Sequence, residues 1–292
     1  MNAEIEMRKM EYRTLGRTGL RLSVLGFGGI PIRDVSEKQA VAVVNRCIDK
    51  GVNFIHTSAT YGDSCQKLSK VLEGRRDEVV LAVKIGGGRA RTDAEQRLKE
   101  TFETLRVDHV EIAELPINAR DFPTAMAPGG AYEAFIDAKE RGEIDHIGIT
   151  GHDIDFLVDA IQTDAFSNVI VPYNYVANKA EERLLPLARR KGLGIIAMKV
   201  MGVGGIPEPP KALRYVLPGP IDTAIVGMSR LEEAEENLRI AEDPEPLTDE
   251  ELSLLREISE RIQREGRLKF SGKITQSHAE GVTRVILSNI RN

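Results

Sequence analysis

Eight short apolar runs recur along this chain, and helical patterns fall between them. The runs are SVLGFG (23–28), VNFI (52–55), VVLAVK (79–84), HVEIAEL (109–115), HIGIT (146–150), NVIV (168–171), LGIIAMK (193–199) and TAIVG (223–227). Each is short, continuously apolar and rich in Val and Ile, as strands covered on both faces should be. SEKQAVAVVNRCIDKG opens with Ser36 as an N-cap and stops at Gly51. DAEQRLKETFETL, GAYEAFIDAKERG, IDFLVDAIQ, KAEERLLPLARRKG and RLEEAEENLRIAE follow the same grammar. Strict βα order leaves two architectures, an open doubly wound sheet and a closed (β/α)₈ barrel. An open dinucleotide-binding sheet carries GxGxxG after its first strand, and here that strand runs into GFGGIP, which lacks the spacing. An α/β fold of the (β/α)₈ TIM-barrel kind is the expectation.

Two segments fall outside the repeat. Residues 11–22, EYRTLGRTGLRL, read as a β-hairpin turning at Gly16–Gly19, and residues 248–265 as one extra C-terminal helix. Barrels of this size run as one unit, so all of 1–292 is expected to be a single domain. The tail, 266–292, carries Phe270, Val282, Val285, Ile286 and Leu287 among polar residues. It is expected to fold over the barrel mouth as a lid, against the alternative of a frayed terminus.

The formal net charge of −5 and pI of about 5.7 argue against a nucleic-acid surface. No apolar run approaches the roughly 20 residues that span a bilayer. The N-terminus, MNAEIEMRKMEYRTLG, has no apolar core of the signal-peptide kind. Cys47 and Cys65 do not form a CxxC pair, so neither a disulfide framework nor a structural zinc site is expected. The reading is a protein of the reduced cytoplasm, with no metal, no membrane and no nucleic acid among its partners.

Active-site groups of a barrel come from the C-terminal ends of its strands and the loops beyond them. Those ends supply Gly28–Gly29, His56–Tyr61, Lys84, Pro116–Asn118, Thr150–His152, Tyr173–Asn174, Lys199–Gly202 and Gly227–Arg230. Lys84 closes an otherwise apolar strand, where it either faces a polar cavity or snorkels to solvent. A cation close to a phenol favours the phenolate and makes a better general acid of it. Tyr61 and Lys84 are therefore either a proton-donor pair or a loop tyrosine and a surface lysine. Glu114 either points into the barrel, as a counter-charge for Lys84, or outward between strand and helix.

The stretches RTLGRTGLRLSVLGFGG, GVNFI–T–YGDS, RRDEVVLAVK, GEIDHIGITGHD, VPYNY and IVGMSRLEEAEENL sit in one order over about 230 residues. In that order the chain resembles the aldo-keto reductases over nearly its whole length. MAPGGAYEAFIDAKERGEIDHIGITGHD and IIAMKVMG are similar to a subgroup whose members often carry a C-terminal iron–sulfur segment, but no cysteine follows Cys65. The resemblance implies an NAD(P)H-dependent oxidoreductase acting on a small carbonyl or alcohol, or on a sugar-like molecule, through an Asp, Tyr, Lys and His tetrad. Tyr61 matches the proton donor and Lys84 its lysine partner. His56 stands at the aspartate position and Pro116 at the histidine position, so two of four are kept.

The resemblance also implies a cofactor path along Gly29, Thr150, Tyr173, Met198, Lys199, Gly202 and Gly227. Ser229 and Arg230 match residues that hold a 2′-phosphate ahead of a helix, and Glu236 and Asn237 match an adenine-contacting pair. NADP is the expected cofactor and NAD the alternative, because Glu233 stands where many NADP-preferring members have Arg. With Pro116 unable to donate a hydrogen bond, weak or altered activity is expected. The other readings left open are an NADP(H)-binding sensor or partner protein without reductase activity, and an isomerase or lyase using the same pocket.

Overall fold

The computed structural model describes residues 10–86 and 88–266, and the expected lid lies outside these residues apart from Gly266. Strands β1 (Tyr12–Thr14) and β2 (Arg21–Ser23) form an antiparallel hairpin. Then β3 (Leu25–Gly28), β4 (Phe54–Thr57), β5 (Val80–Lys84), β6 (Val110–Pro116), β7 (Ile144–Thr150), β8 (Asn168–Pro172), β9 (Gly194–Met198) and β10 (Thr223–Gly227) pair in parallel. Pairing of β10 with β3 and β9 closes the barrel, so the open sheet is excluded and the (β/α)₈ fold stands.

The helices are α1 (Glu37–Asp49), α2 (Ser64–Arg75), α3 (Arg91–Leu105), α4 (Phe122–Met126), α5 (Ala131–Glu140), α6 (Ile154–Ala160), α7 (Leu184–Arg190), α8 (Pro209–Val216), α9 (Leu231–Glu242) and α10 (Asp249–Glu265). Ser36 caps α1 as expected, its side chain accepting from Gln39 N. The run 179–192 does not form one helix. Pro186 has no N–H, so it sits in the first turn of a helix that starts only at Leu184. Helix α10 carries a capping box, Thr248 with Glu251. Its Leu255, Ile258 and Ile262 pack on Tyr175, Val176, Ile206 and Ala212.

Besides this cluster under α10, two cores stabilise the barrel. The larger lies between strands and helices. The smaller fills the barrel with Phe54, Ala82, Ile112, Ile170, Ile196 and Ile225, one from each of six strands, and Leu15 and Leu22 of the hairpin segment complete it. The hairpin thus plugs the N-terminal end. Arg17 N donates to Gly192 O, Arg13 Nη1 to the carbonyls of Leu217 and Ile221, and Asn53 Nδ2 to Arg21 O. Gly16 takes a positive φ there, and a Cβ on it would come 2.2 Å from Gly194 N. Full burial of each large apolar side chain contributes about 1.5–3 kcal/mol. With one end plugged, the C-terminal end is where chemistry has access.

Candidate active site

Side chains two positions apart on a strand share a face. Above the apolar filling, this places His56 after Phe54, Lys84 after Ala82, Glu114 after Ile112 and Met198 after Ile196, all on the inner face. Pro116 and Thr150 are register partners at the ends of β6 and β7.

The loop after β4 is tied to the end of β5 by one hydroxyl. Ser58 is fully buried; its Oγ donates to Lys84 O at 2.8 Å and lies 2.9 Å from Thr60 Oγ1. Tyr61 N donates back to Ser58 O, closing a turn that presents the Tyr61 ring to Lys84. Lys84 Nζ stands 4.7 Å from the centroid of that ring. The cation meets the face of the phenol, a favourable cation–π arrangement. Among the described residues no hydrogen bond joins it to the hydroxyl. The His56 ring lies 6.4 Å from that of Tyr61, tilted by 58°. Ser58, with no motif of its own, was not singled out by the sequence reading.

His56 is buried, and its Nε2 has no hydrogen-bond partner among the described residues. Burial, reinforced by Lys84, pushes its pKa down to about 3, so the ring is neutral. It therefore brings no negative charge to the aspartate position. Glu114 does lie inside the barrel, fully buried, with Asn168 Nδ2 donating to its Oε1 at 2.7 Å. His152 stands at the rim, its pKa lowered to about 4 by desolvation and then by Lys199 and Lys84. His109 and His146 belong to the opposite end, His109 beside Asp145 and His146 near Thr18 of the hairpin segment.

The remaining sequence-derived positions divide. Thr150, Met198 and Lys199 sit at strand ends around the mouth, and Asn174 Nδ2 donates to Lys199 O. Gly29 donates its N–H to His56 O, and Gly202 its N–H to Lys199 O. Gly227 approaches Pro31 so closely that a Cβ would lie 2.6 Å from Pro31 Cγ. Tyr173 is not brought to the mouth. Its ring packs in the outer core, 6.0 Å from that of Tyr215, and its hydroxyl donates to Glu181 at 2.5 Å.

At the start of α9 the expected anion position is taken by the chain itself. Glu233 Oε2 accepts from Ser229 N at 2.8 Å, Ser229 Oγ at 3.1 Å and Arg230 N at 3.2 Å, while Oε1 accepts from Arg230 Nε at 3.0 Å. Further along the helix Asn237 is buried and Glu236 exposed. Among the described residues no cluster of three or more His, Cys, Asp or Glu is arranged to hold a metal, and no helix is long and apolar enough to cross a membrane.

A closed parallel barrel with a plugged floor and a polar constellation at its C-terminal mouth has the layout of a barrel enzyme. The sequence profile of the aldo/keto reductase family matches residues 24–209, and the chain belongs to that family of oxidoreductases. It is 27% identical over 294 aligned residues to L-galactose dehydrogenase of Arabidopsis thaliana, covering 82% of this chain and 91% of that protein. It is 22% identical to pyridoxal 4-dehydrogenase of Microbacterium luteolum, over 70% of this chain and 75% of the other. The fold matches the holo form of an aldo-keto reductase from Bacillus halodurans with a TM-score of 0.73 at 20% identity, covering 93% of this chain and 100% of that one.

Proposed function

We propose that this protein is an NAD(P)H-dependent oxidoreductase that interconverts a carbonyl and an alcohol on a small polar, sugar-like molecule. The observation that carries this reading is Lys84 over the Tyr61 ring at the barrel mouth. The named substrates of the two dehydrogenases above, a sugar and an aldehyde, support the substrate class. A nicotinamide cofactor, when bound, would supply or accept the hydride at the substrate carbon. Tyr61 donates the proton to the carbonyl oxygen in reduction and receives it in oxidation. Lys84 stabilises negative charge on the phenol oxygen as the proton leaves. His56, neutral and buried, shapes the wall beside Tyr61 without adding charge.

For the adenine end we propose Gly227 to Asn237. The N–H groups at the start of α9, with Ser229 and Arg230, are of the kind that takes an anion. Glu233 already takes up those donors. The fit is therefore better for NAD(H) than for the NADP(H) that the sequence suggested, since a 2′-phosphate must displace a carboxylate from the same helix end.

A second reading, a dinucleotide-binding sensor without turnover, is favoured by Pro116, which ends β6 without a donor to the substrate oxygen. Fluorescence titration with NADH and NADPH, followed by turnover on a panel of aldoses, aldehydes and their alcohols, separates the two. Binding with turnover lost in Tyr61→Phe supports the oxidoreductase; tight binding with no turnover of any panel member supports the sensor.

A further inference from the structure

Within the barrel lies one carboxyl group that the proposed chemistry leaves unused. Glu114 on β6 is the register neighbour of Lys84 on β5. It is fully buried; Oε1 is held by Asn168 Nδ2 at 2.7 Å, and Oε2 has no hydrogen-bond partner among the described residues. Room for it comes from Gly148 on β7, where a Cβ would lie 2.4 Å from Oε2 and 2.5 Å from Oε1. A buried carboxyl with one hydrogen bond is costly, and the neighbouring inner-face positions, Ala82, Ile112 and Ile170, are apolar. The other fully buried carboxylate among the described residues, Asp222, pairs with Arg189 and Ile195 N, on a different wall.

We propose that Glu114 is a positioning residue for the reaction, the buried acid–base partner of Lys84, which Asn168 holds in place and which, once ionised, supplies from β6 the counter-charge that His56 does not supply from β4. This rests on the reading of Tyr61 and Lys84 as the reacting pair. Burial raises the Glu114 carboxyl to about 8, against the opposing pull of Asn168 and Lys84. Near neutrality it is mostly protonated, and Lys84 stands uncompensated over Tyr61. Above that point the carboxylate forms, and its charge acts on Lys84 from the adjacent strand. The groups packed around Glu114 are Lys84 from β5, Gly148 from β7 and Asn168 from β8. At the mouth, His56 and His152 are neutral throughout this range. Lys199, its pKa lowered by burial and then by Lys84, is retained in every variant compared.

The test reads Lys84 itself and needs no turnover. The whole chain, Glu114→Gln and Asn168→Ala are acylated briefly with acetic anhydride from about pH 6 to pH 10, and labelling of the Lys84 peptide is quantified by mass spectrometry. Gln keeps the shape and the acceptor for Asn168. Labelling needs the neutral amine, so the Glu114→Gln to wild-type ratio should be about one below pH 7. It should rise severalfold above pH 9, where, of the two, only the wild type carries a carboxylate beside Lys84. Asn168→Ala removes a bond that favours the carboxylate, so its labelling should follow Glu114→Gln to higher pH before returning toward wild type. A ratio independent of pH, including a uniform rise from looser packing, overturns the proposal. A pH-dependent ratio in a chain that turns over nothing upholds the Glu114–Lys84 coupling while the oxidoreductase reading falls; turnover with a flat ratio does the reverse.

Discussion

Arg230 and Glu233 clasp each other across the first turn of α9, with Nη2 2.9 Å from Oε1. The same carboxylate takes the N–H groups of Ser229 and Arg230. Replacing Glu233 by Gln should free the guanidinium and remove the resident charge, raising NADPH affinity by about tenfold or more, with NADH nearly unchanged. A charge-assisted hydrogen bond of about 1.5–3 kcal/mol sets that scale. Arg230→Glu should weaken NADPH much more than NADH. Equal effects on both cofactors, read by fluorescence titration, would show that this helix end does not meet a 2′-phosphate.

The buried His56 makes a statement about acid stability. Its folded pKa is about 3, against an ordinary value of 6.5. Between those values the unfolded chain binds more protons than the folded one, so stability falls as pH drops through this window. His56→Gln cannot take up that proton. The variant should lose less stability than wild type between pH 7 and pH 4, the difference being on the order of a few kcal/mol. Urea midpoints at the two pH values measure it, and parallel losses would count against a buried neutral imidazole.

Glu114 acts with the opposite sign. Its folded pKa, about 8, lies above the ordinary 4.5. Between these values the folded state binds more protons, so stability falls as pH rises and the full cost is reached above about pH 8. Glu114→Gln should match wild type near pH 4 and exceed it at pH 9, again on the order of a few kcal/mol. Chemical denaturation at both ends of the range decides this. A variant no more stable at pH 9 would mean that the carboxylate is compensated in the folded chain.

How far these features were legible in the sequence depends on what carried the signal. The barrel was legible because eight apolar runs, covered on both faces, stand out without any knowledge of partners. Strand β4 ran past the end of VNFI through His56 and Thr57, because register hydrogen bonding to Ala82 and Val83 continues where apolarity stops. Helix α2 was not read as a helix, since buried Ser64, Lys67 and Ser69 interrupt its apolar stripe. Lys67 is buried because its ammonium donates to the carbonyls of Ile32, Arg33 and Val35 and pairs with Asp63. The carbonyl partners lie 32 to 35 residues away along the chain, and no local pattern announces them. Helix α8 opens on Pro209 and Pro210, which read as a break. Glu114 could not be oriented, because a strand buried on both faces has no polar side to set the sign of its alternation. Tyr173, just past the end of β8, packs against Tyr215 in the outer core, a partner distant in sequence that no local pattern announces.

The last prediction concerns Tyr61. Ser58 fixes the loop to the end of β5, and Lys84 covers the Tyr61 ring face. Removing the hydroxyl leaves this packing intact and takes away only the proton. Tyr61→Phe should therefore lower turnover by about a hundredfold or more, the range of a lost general acid, with cofactor affinity unchanged. Ser58→Ala should act through placement: kcat falls, by less than in Tyr61→Phe, because the loop loses its bond to Lys84 O while the phenol remains. Pro116 ends β6 at the mouth with no donor. A histidine there can reach a developing oxyanion, and one such donor is worth roughly 10²–10³ in rate. Pro116→His should accordingly raise turnover on simple aldehydes. If Tyr61→Phe keeps full activity, the proton comes from another group, and Lys84 over that ring is packing alone.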